Sequence, residues 1–230
     1  MKNVIDEKPT SDVDGRLAIG AAMVPVSEIK GKEMLDIGCG YGWFEMHAMD
    51  HGVKHITGTE VTETDLATVT KHITDDRTQF LVGSAIDLPF PDESFDTIVC
   101  WEVIEHIPKN TELKMFSEVH RLLRPGGTFY LSTPYRGWFS TPLDPAWWLV
   151  GHRHYNEADM ERFAKEGGFE LIKCFARGGI WQSFYILNVY FSKWVLRRGP
   201  IFSELFKRKT AEEYEIESGS VNLFAGFKKK

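Results

Sequence analysis

Short apolar runs and helical patterns alternate along most of this 230-residue chain. The runs near 33–37, 54–60, 78–83, 95–101 and 127–133 read as strands, and the segments near 42–51, 62–74 and 111–123 space their apolar residues as helices do. Strands alternating with helices imply a parallel sheet covered on both faces, so the pattern predicts a doubly wound α/β fold. Beyond Gly168, Phe169 to Phe175 and Val221 to Phe227 read as two further strands. Between these two lies an insertion, 180–218, whose first half repeats apolar groups at Ile180, Phe184, Leu187, Phe191 and Trp194, the spacing of one helix face. Residues 1–230 are expected to form a single domain, with a loop at 136–155 and this insertion as its elaborations.

Ligands of such sheets bind beyond the carboxyl ends of the strands, at the switch in strand order. Asp36, Glu60 and Trp101 would emerge there. The most specific end is Met34-Leu35-Asp36-Ile37, which runs straight into Gly38-Cys39-Gly40-Tyr41-Gly42 and a helical pattern. Glycines permit positive φ and let the backbone approach a ligand that a Cβ would exclude, while the helix start offers unpaired N–H groups to an anion. A dinucleotide loop requires G-x-G-x-x-G, and its last glycine position holds Trp43 here. The spacing is G-x-G-x-G instead.

Three later stretches extend the pattern in order. Ile56-Thr57-Gly58-Thr59-Glu60 is a second strand ending in an acid, Val82 to Asp96 holds Gly83-Ser84-Ala85, and Leu122 to Phe129 holds Arg124-Pro125-Gly126-Gly127. Together the four stretches resemble the class I S-adenosylmethionine-dependent methyltransferases. That resemblance implies a seven-stranded, mostly parallel Rossmann-like sheet with an antiparallel last strand, and the helical insertion just before it. It also implies S-adenosyl-L-methionine as cofactor. Carried over by position, it puts Asp36, Gly38, Gly40 and Gly42 at the methionine half, Glu60 on the ribose, Ser84 and Ala85 at the adenine, and Cys100 and Trp101 beside the sulfonium. Relatives commonly carry an Asp where this chain has Ser84; a hydroxyl bonds an adenine amino group less strongly than a carboxylate, so modest cofactor affinity is expected.

Methyl transfer from a sulfonium is helped chiefly by positioning, with a base needed only if the acceptor must lose a proton. Glu102, Glu105 and His106 are spaced i, i+3, i+4 and would share one face if a helix begins there. This E-x-x-E-H pattern resembles that of metal-dependent 2′-O-methyltransferases of small RNAs and of the O-methyltransferases of ubiquinone biosynthesis, in which a later histidine completes the site. His152 and His154 of Gly151-His152-Arg153-His154-Tyr155 both qualify, with His154 preferred for its place just ahead of Tyr155. Mg²⁺ or Mn²⁺ on Glu102, Glu105, His106 and His154 would clamp acceptor oxygens and lower the pKa of the one attacked. Without metal, a Glu-His turn lets the histidine touch substrate, act as base or cap a helix, so His106 and His154 are also the catalytic candidates.

The three cysteines, Cys39, Cys100 and Cys174, are widely spaced and lack a C-x-x-C pattern, which indicates neither a disulfide framework nor a zinc site. The polar stretch Met1 to Thr10 has no apolar core like that of a signal peptide, so a cytoplasmic location is expected. A net charge of −6 argues against a general nucleic-acid binder. In the 136–155 loop, Trp138, Trp147 and Trp148 suit either flat walls for a sugar or aromatic acceptor or a hydrophobic plug, with Arg136 and Arg153 available to an anionic group. The aromatic helix of 180–198, followed by Arg197-Arg198 and Lys207-Arg208-Lys209, suits three roles: contact with the inner membrane face or a lipid-linked substrate, a cover over the acceptor pocket, or a homodimer contact. The expected function is therefore O-methylation of a small-molecule or saccharide acceptor. Methylation of an RNA terminus and a pseudoenzyme that binds a membrane or partner are the alternatives.

Overall fold

The computed structural model describes residues 8–11 and 13–230. Residues 1–7, which carry most of the expectation about a leader sequence, lie outside the described residues. Seven strands form one sheet: β1 (Glu33–Ile37), β2 (His55–Glu60), β3 (Thr78–Val82), β4 (Phe95–Trp101), β5 (Leu123–Pro134), β6 (Phe169–Arg177) and β7 (Asn222–Lys229). Their order is β3-β2-β1-β4-β5-β7-β6, and β7 alone runs against its neighbours. The switch in order falls between β1 and β4, so the ends of those strands frame a crevice.

Alternation along β1 assigns the two faces. Leu35 and Ile37 join Ile98, Phe129 and Phe227 in a core completed by Met115, Phe116 and Val119 of α4 (Glu112–Leu122) and Met160 and Phe163 of α7 (Glu157–Gly167). Met34 points the other way, to Ala21 and Met23 of α1 (Gly15–Met23) and Trp43, Phe44 and Ala48 of α2 (Trp43–Asp50). Each fully buried Phe among these contributes roughly 1.5–3 kcal/mol relative to exposure. On the outer flank, Leu66, Val69 and Ile73 of and just beyond α3 (Glu63–His72) pack on Cys39 of the glycine loop.

After β5 the chain forms two short helices, α5 (Ser140–Leu143) and α6 (Pro145–Leu149). Helix α7 starts at a reciprocal cap, with the Asn156 side chain accepting from the Asp159 N–H and Asp159 accepting from the Asn156 N–H. The expected insertion is present between β6 and β7 as α8 (Ile180–Phe191), a π-helical turn over Ser192–Leu196, and α9 (Ser203–Glu215). Helix α8 packs on α5, α6 and α9, and α9 packs on α1. Among the described residues no helix is long and apolar enough to cross a membrane.

Candidate active site

A cavity of about 680 Å³ opens at the crevice. Its floor is the glycine loop, tied to β2 by the N–H groups of Gly38 and Cys39, which donate to the Thr59 carbonyl at 2.8 and 3.1 Å. Gly40 takes φ +56° and donates its N–H to Glu60 Oε1 at 2.7 Å; a Cβ at Gly40 would meet nothing within 4 Å. The loop thus leaves an open cradle beside an anchored carboxylate. Burial raises the Glu60 pKa, against the lowering effect of the Gly40 N–H.

Of the residues expected to hold the cofactor, Gly38, Gly40, Glu60, Ser84, Ala85 and Trp101 line this cavity. Asp36 and Gly42 stand behind it. Asp36 is 1% exposed beneath the loop, and its Oδ1 makes no hydrogen bond among the described residues. Burial, together with the charges of Glu45 and Glu60, holds its carboxyl well above the usual range. Glu45 of α2 is fully buried with neither oxygen hydrogen-bonded among the described residues, and burial raises it to about 8. Gly42 precedes α2 as its N-cap, where a Cβ would lie 2.6 Å from Ile73 Cδ1 and 2.7 Å from Val69 Cγ2, so a side chain there would collide with α3 and the residue after it.

Sequence reasoning missed the cover of this cavity. Arg16, Leu17 and Gly20 of α1 also line it. Gly20 lets the helix lie close: a Cβ there would be 3.3 Å from the Trp43 ring and 3.5 Å from that of Trp101. The apolar content of Gly15–Met23 signals a helix, but only the two indoles reveal where it docks.

The expected helix over 102–106 is absent, which corrects the idea of a shared Glu-Glu-His face. Glu102 takes φ +56° at the end of β4, the following residues turn, and α4 begins only at Glu112. The Glu102 carboxylate accepts from Ser132 Oγ at 2.7 Å and Asn222 Nδ2 at 3.0 Å, and pairs with Arg16 at 2.6 Å. Glu105 is 3% exposed and turned inward to accept from Thr133 Oγ1 at 3.0 Å. Burial and the Glu102 charge push its pKa well up. His154 is held by Asp144 Oδ2 at 2.9 Å and Thr141 Oγ1 at 3.0 Å, away from the 680 Å³ cavity. Among the described residues no group of three or more such side chains is placed to hold a metal ion. Glu102, Glu105, His106 and His154 therefore do not fit as a Mg²⁺ or Mn²⁺ site.

His106 does reach the cavity, and its partner is the other histidine of the pair considered: His152 Nε2 lies 3.1 Å from His106 Nε2. Partial burial and the His152 ring lower the His106 pKa, so it is neutral near pH 7. Behind His152 stands Asp144 Oδ2, 3.7 Å from its Nδ1. Against the upward pull of burial, His152, His154 and the Ala146 N–H hold Asp144 below the usual carboxylate range.

A second cavity, of about 390 Å³, shares Arg16 and Glu102 with the first. Asp144, His152, Gln182, Ser183, Tyr190 and Asn222 give it a polar lining, and α8 forms one of its walls. The apolar stripe of α8 faces the other way, with Ile180, Phe184, Phe191 and Trp194 about half exposed. The loop tryptophans neither plug the core nor line this cavity: Trp138 is 90% exposed and Trp148 67%. Arg153 is engaged by Glu112 at 3.2 Å and by the Ile104 carbonyl at 2.6 Å.

Comparison with known proteins agrees with this architecture. Residues 35–131 match the family model described as a methyltransferase domain. A probable S-adenosylmethionine-dependent methyltransferase of Mycolicibacterium smegmatis is 34% identical over 145 residues, covering 61% of this chain and 53% of that protein. The ubiquinone biosynthesis O-methyltransferase of Pseudomonas aeruginosa is 33% identical over 115 residues, 46% of this chain and 45% of its own. The chain thus spans about half the length of these relatives. The crystal structure of an S-adenosylmethionine-dependent methyltransferase from Mesorhizobium loti superposes with a TM-score of 0.68 at 19% identity, over 96% of this chain and 100% of that one, a likeness of fold.

Proposed function

We propose that this chain, whose residues 35–131 match the methyltransferase domain family model, is a class I S-adenosylmethionine-dependent methyltransferase that transfers a methyl group to an oxygen of a small-molecule acceptor. The observation that carries this reading is the junction of the two cavities. They share Arg16 and Glu102, and an imidazole lining one meets an imidazole lining the other at 3.1 Å.

The cradle at Gly38 and Gly40, the Glu60 carboxylate and the Ser84–Ala85 turn would hold S-adenosyl-L-methionine, with Trp101 as an apolar wall. When bound, that cofactor supplies an electrophilic methyl on a sulfonium. The chain positions the acceptor and removes its proton. His106, neutral near pH 7, accepts the hydroxyl proton at the ring nitrogen not facing His152, while the His152 ring, with Asp144 behind it, holds the imidazole in place. Arg16 fixes Glu102, and Glu102 in turn orients Ser132 and Asn222 at the boundary of the cavities. No metal enters this mechanism.

Two features support a saccharide acceptor carried on a lipid. The carboxylate, amide and hydroxyl groups of the 390 Å³ cavity suit sugar hydroxyls. On the outer side of its α8 wall, the exposed Ile180, Phe184, Phe191 and Trp194 adjoin Lys193, Arg197 and Arg198, with no acidic residue between Ile180 and Ser203. Such a surface suits an anionic membrane interface. The RNA alternative loses its main support with the metal face. The test is release of S-adenosylhomocysteine from S-adenosylmethionine by purified protein given lipid, aqueous or RNA fractions, with and without chelator. Chelator-resistant turnover with the lipid or aqueous fraction is expected. Turnover with RNA alone, or loss on chelation, would overturn the reading.

A further inference from the structure

A third cavity, of about 790 Å³, lies between the turn after β4, the start of α7 and the 136–155 loop. We infer that it is an anion subsite for the phosphate of a phosphorylated acceptor. The argument is one of local charge. Lys109, Arg136, Arg153 and Arg162 line it against only Glu112 and Asp159, in a protein whose net charge is −6. Arg153 and Glu112 close on each other at 3.2 Å, and Arg153 also donates to Tyr155 Oη and the Ile104 carbonyl. That leaves three cations around one carboxylate.

Asp159 satisfies neither arginine fully. It sits 3.0 Å from Arg136 and 3.6 Å from Arg162, and it also accepts the Asn156 N–H of the helix cap. Both arginine side chains are about half exposed, at 53% and 52%, with the Arg136 Nε–H also donated to the His154 carbonyl at 3.2 Å. Lys109, on the exposed turn across the cavity, makes no ion pair among the described residues. Three cations on separate elements share one carboxylate and carry an excess of positive charge, and an anion with several oxygens offsets that excess at once. A phosphate fits better than a single carboxylate because its oxygens diverge towards donors on different sides. Trp147, 38% exposed on the same cavity, offers a flat wall to the group that carries the phosphate.

The place of this cavity ties it to the reaction. His152 lines it and contacts His106, which lines the cofactor cavity, so a phosphate held here would leave the rest of the acceptor directed at the proton-accepting imidazole. This link to chemistry rests on the proposed methyl transfer; the anion binding itself does not.

The experiment measures ³¹P line broadening of inorganic phosphate on cofactor-free protein, in the wild type and in Lys109→Ala, Arg162→Ala and the double variant. Both side chains are exposed, so circular dichroism should show unchanged folding. Saturable binding, weakened about tenfold in each single variant and abolished in the double, is expected. Non-saturating broadening, or broadening that the variants leave unchanged, would overturn the subsite. Glycerol 3-phosphate and vesicles containing phosphatidic acid then distinguish a soluble phosphate ester from a lipid headgroup; Lys109- and Arg162-dependent binding of either supports the subsite, and binding of neither contradicts it. Calorimetry with S-adenosylmethionine on the same samples separates the two ideas. Phosphate bound without cofactor binding would sink the methyltransferase reading alone, and the reverse would sink the subsite alone.

Discussion

Replacing Gly40 with alanine adds one methyl group to the cradle. Its backbone holds φ +56°, a region that costs an L-residue about 1–2 kcal/mol, and the new Cβ meets no protein atom within 4 Å. The change therefore carries a small folding penalty and fills space the loop keeps open for a ligand. Gly126 is a matched control: it takes φ +74°, its Cβ would also meet nothing within 4 Å, and it sits near the amino end of β5, opposite the cavity. For a domain of this size a loss of about 1 kcal/mol lowers the melting midpoint by about 2–4 °C, so both variants should shift by a few degrees. Gly40→Ala alone should weaken S-adenosylmethionine binding by at least about tenfold, or about 1.4 kcal/mol, because the backbone can no longer approach the ligand and the Gly40–Glu60 contact is disturbed. Titration calorimetry and thermal melts on the three proteins check this. Unchanged affinity in Gly40→Ala, or equal losses in both variants, would refute the cradle.

His106→Ala should lower kcat by about a hundredfold or more while cofactor affinity stays near wild type, a split that steady-state kinetics and calorimetry resolve. Because burial and His152 lower the His106 pKa, the base is lost as pH falls through a value below about 6.5; in His152→Ala the acid limb of the pH–rate profile should move up. Affinity for the cofactor, which carries a sulfonium, should rise with pH and binding should release protons, since Glu60 and Asp36 hold raised pKa values that a nearby cation lowers; calorimetry in buffers of different ionisation enthalpy reads the proton count. Chelation followed by dialysis should leave turnover unchanged, because Glu102, Glu105, His106 and His154 do not converge.

The parts of the site legible in the sequence are those set by spacing along one strand and the turn after it. Gly38, Gly40 and Glu60 follow directly from β1 and β2 lying side by side, with Ile37 in register with Thr59. The Glu102–His106 reading failed because i, i+3, i+4 spacing brings side chains together only in a helix. Here the Ser132 hydroxyl donates to that carboxylate and the Ser132 carbonyl accepts the Glu102 N–H, and the chain turns instead. Periodicity in α8 identified a stripe but not its neighbour, and the stripe faces outward while Gln182 and Ser183 face the cavity. The pairing of His106 with His152 was illegible for a similar reason: residues 152 and 154 fall on the same side of an extended segment, and only Asp144 and Thr141 decide that His154 turns away.

The central claim is tested most directly by incubating purified protein with S-adenosyl-[methyl-³H]methionine and lipid and aqueous extract fractions, and following label and S-adenosylhomocysteine together. Label should enter an acceptor in step with S-adenosylhomocysteine, and His106→Ala should lower both by about a hundredfold or more while still binding cofactor. Failure to bind S-adenosylmethionine, or equal turnover in His106→Ala, would contradict the assignment of the cavity and of its base.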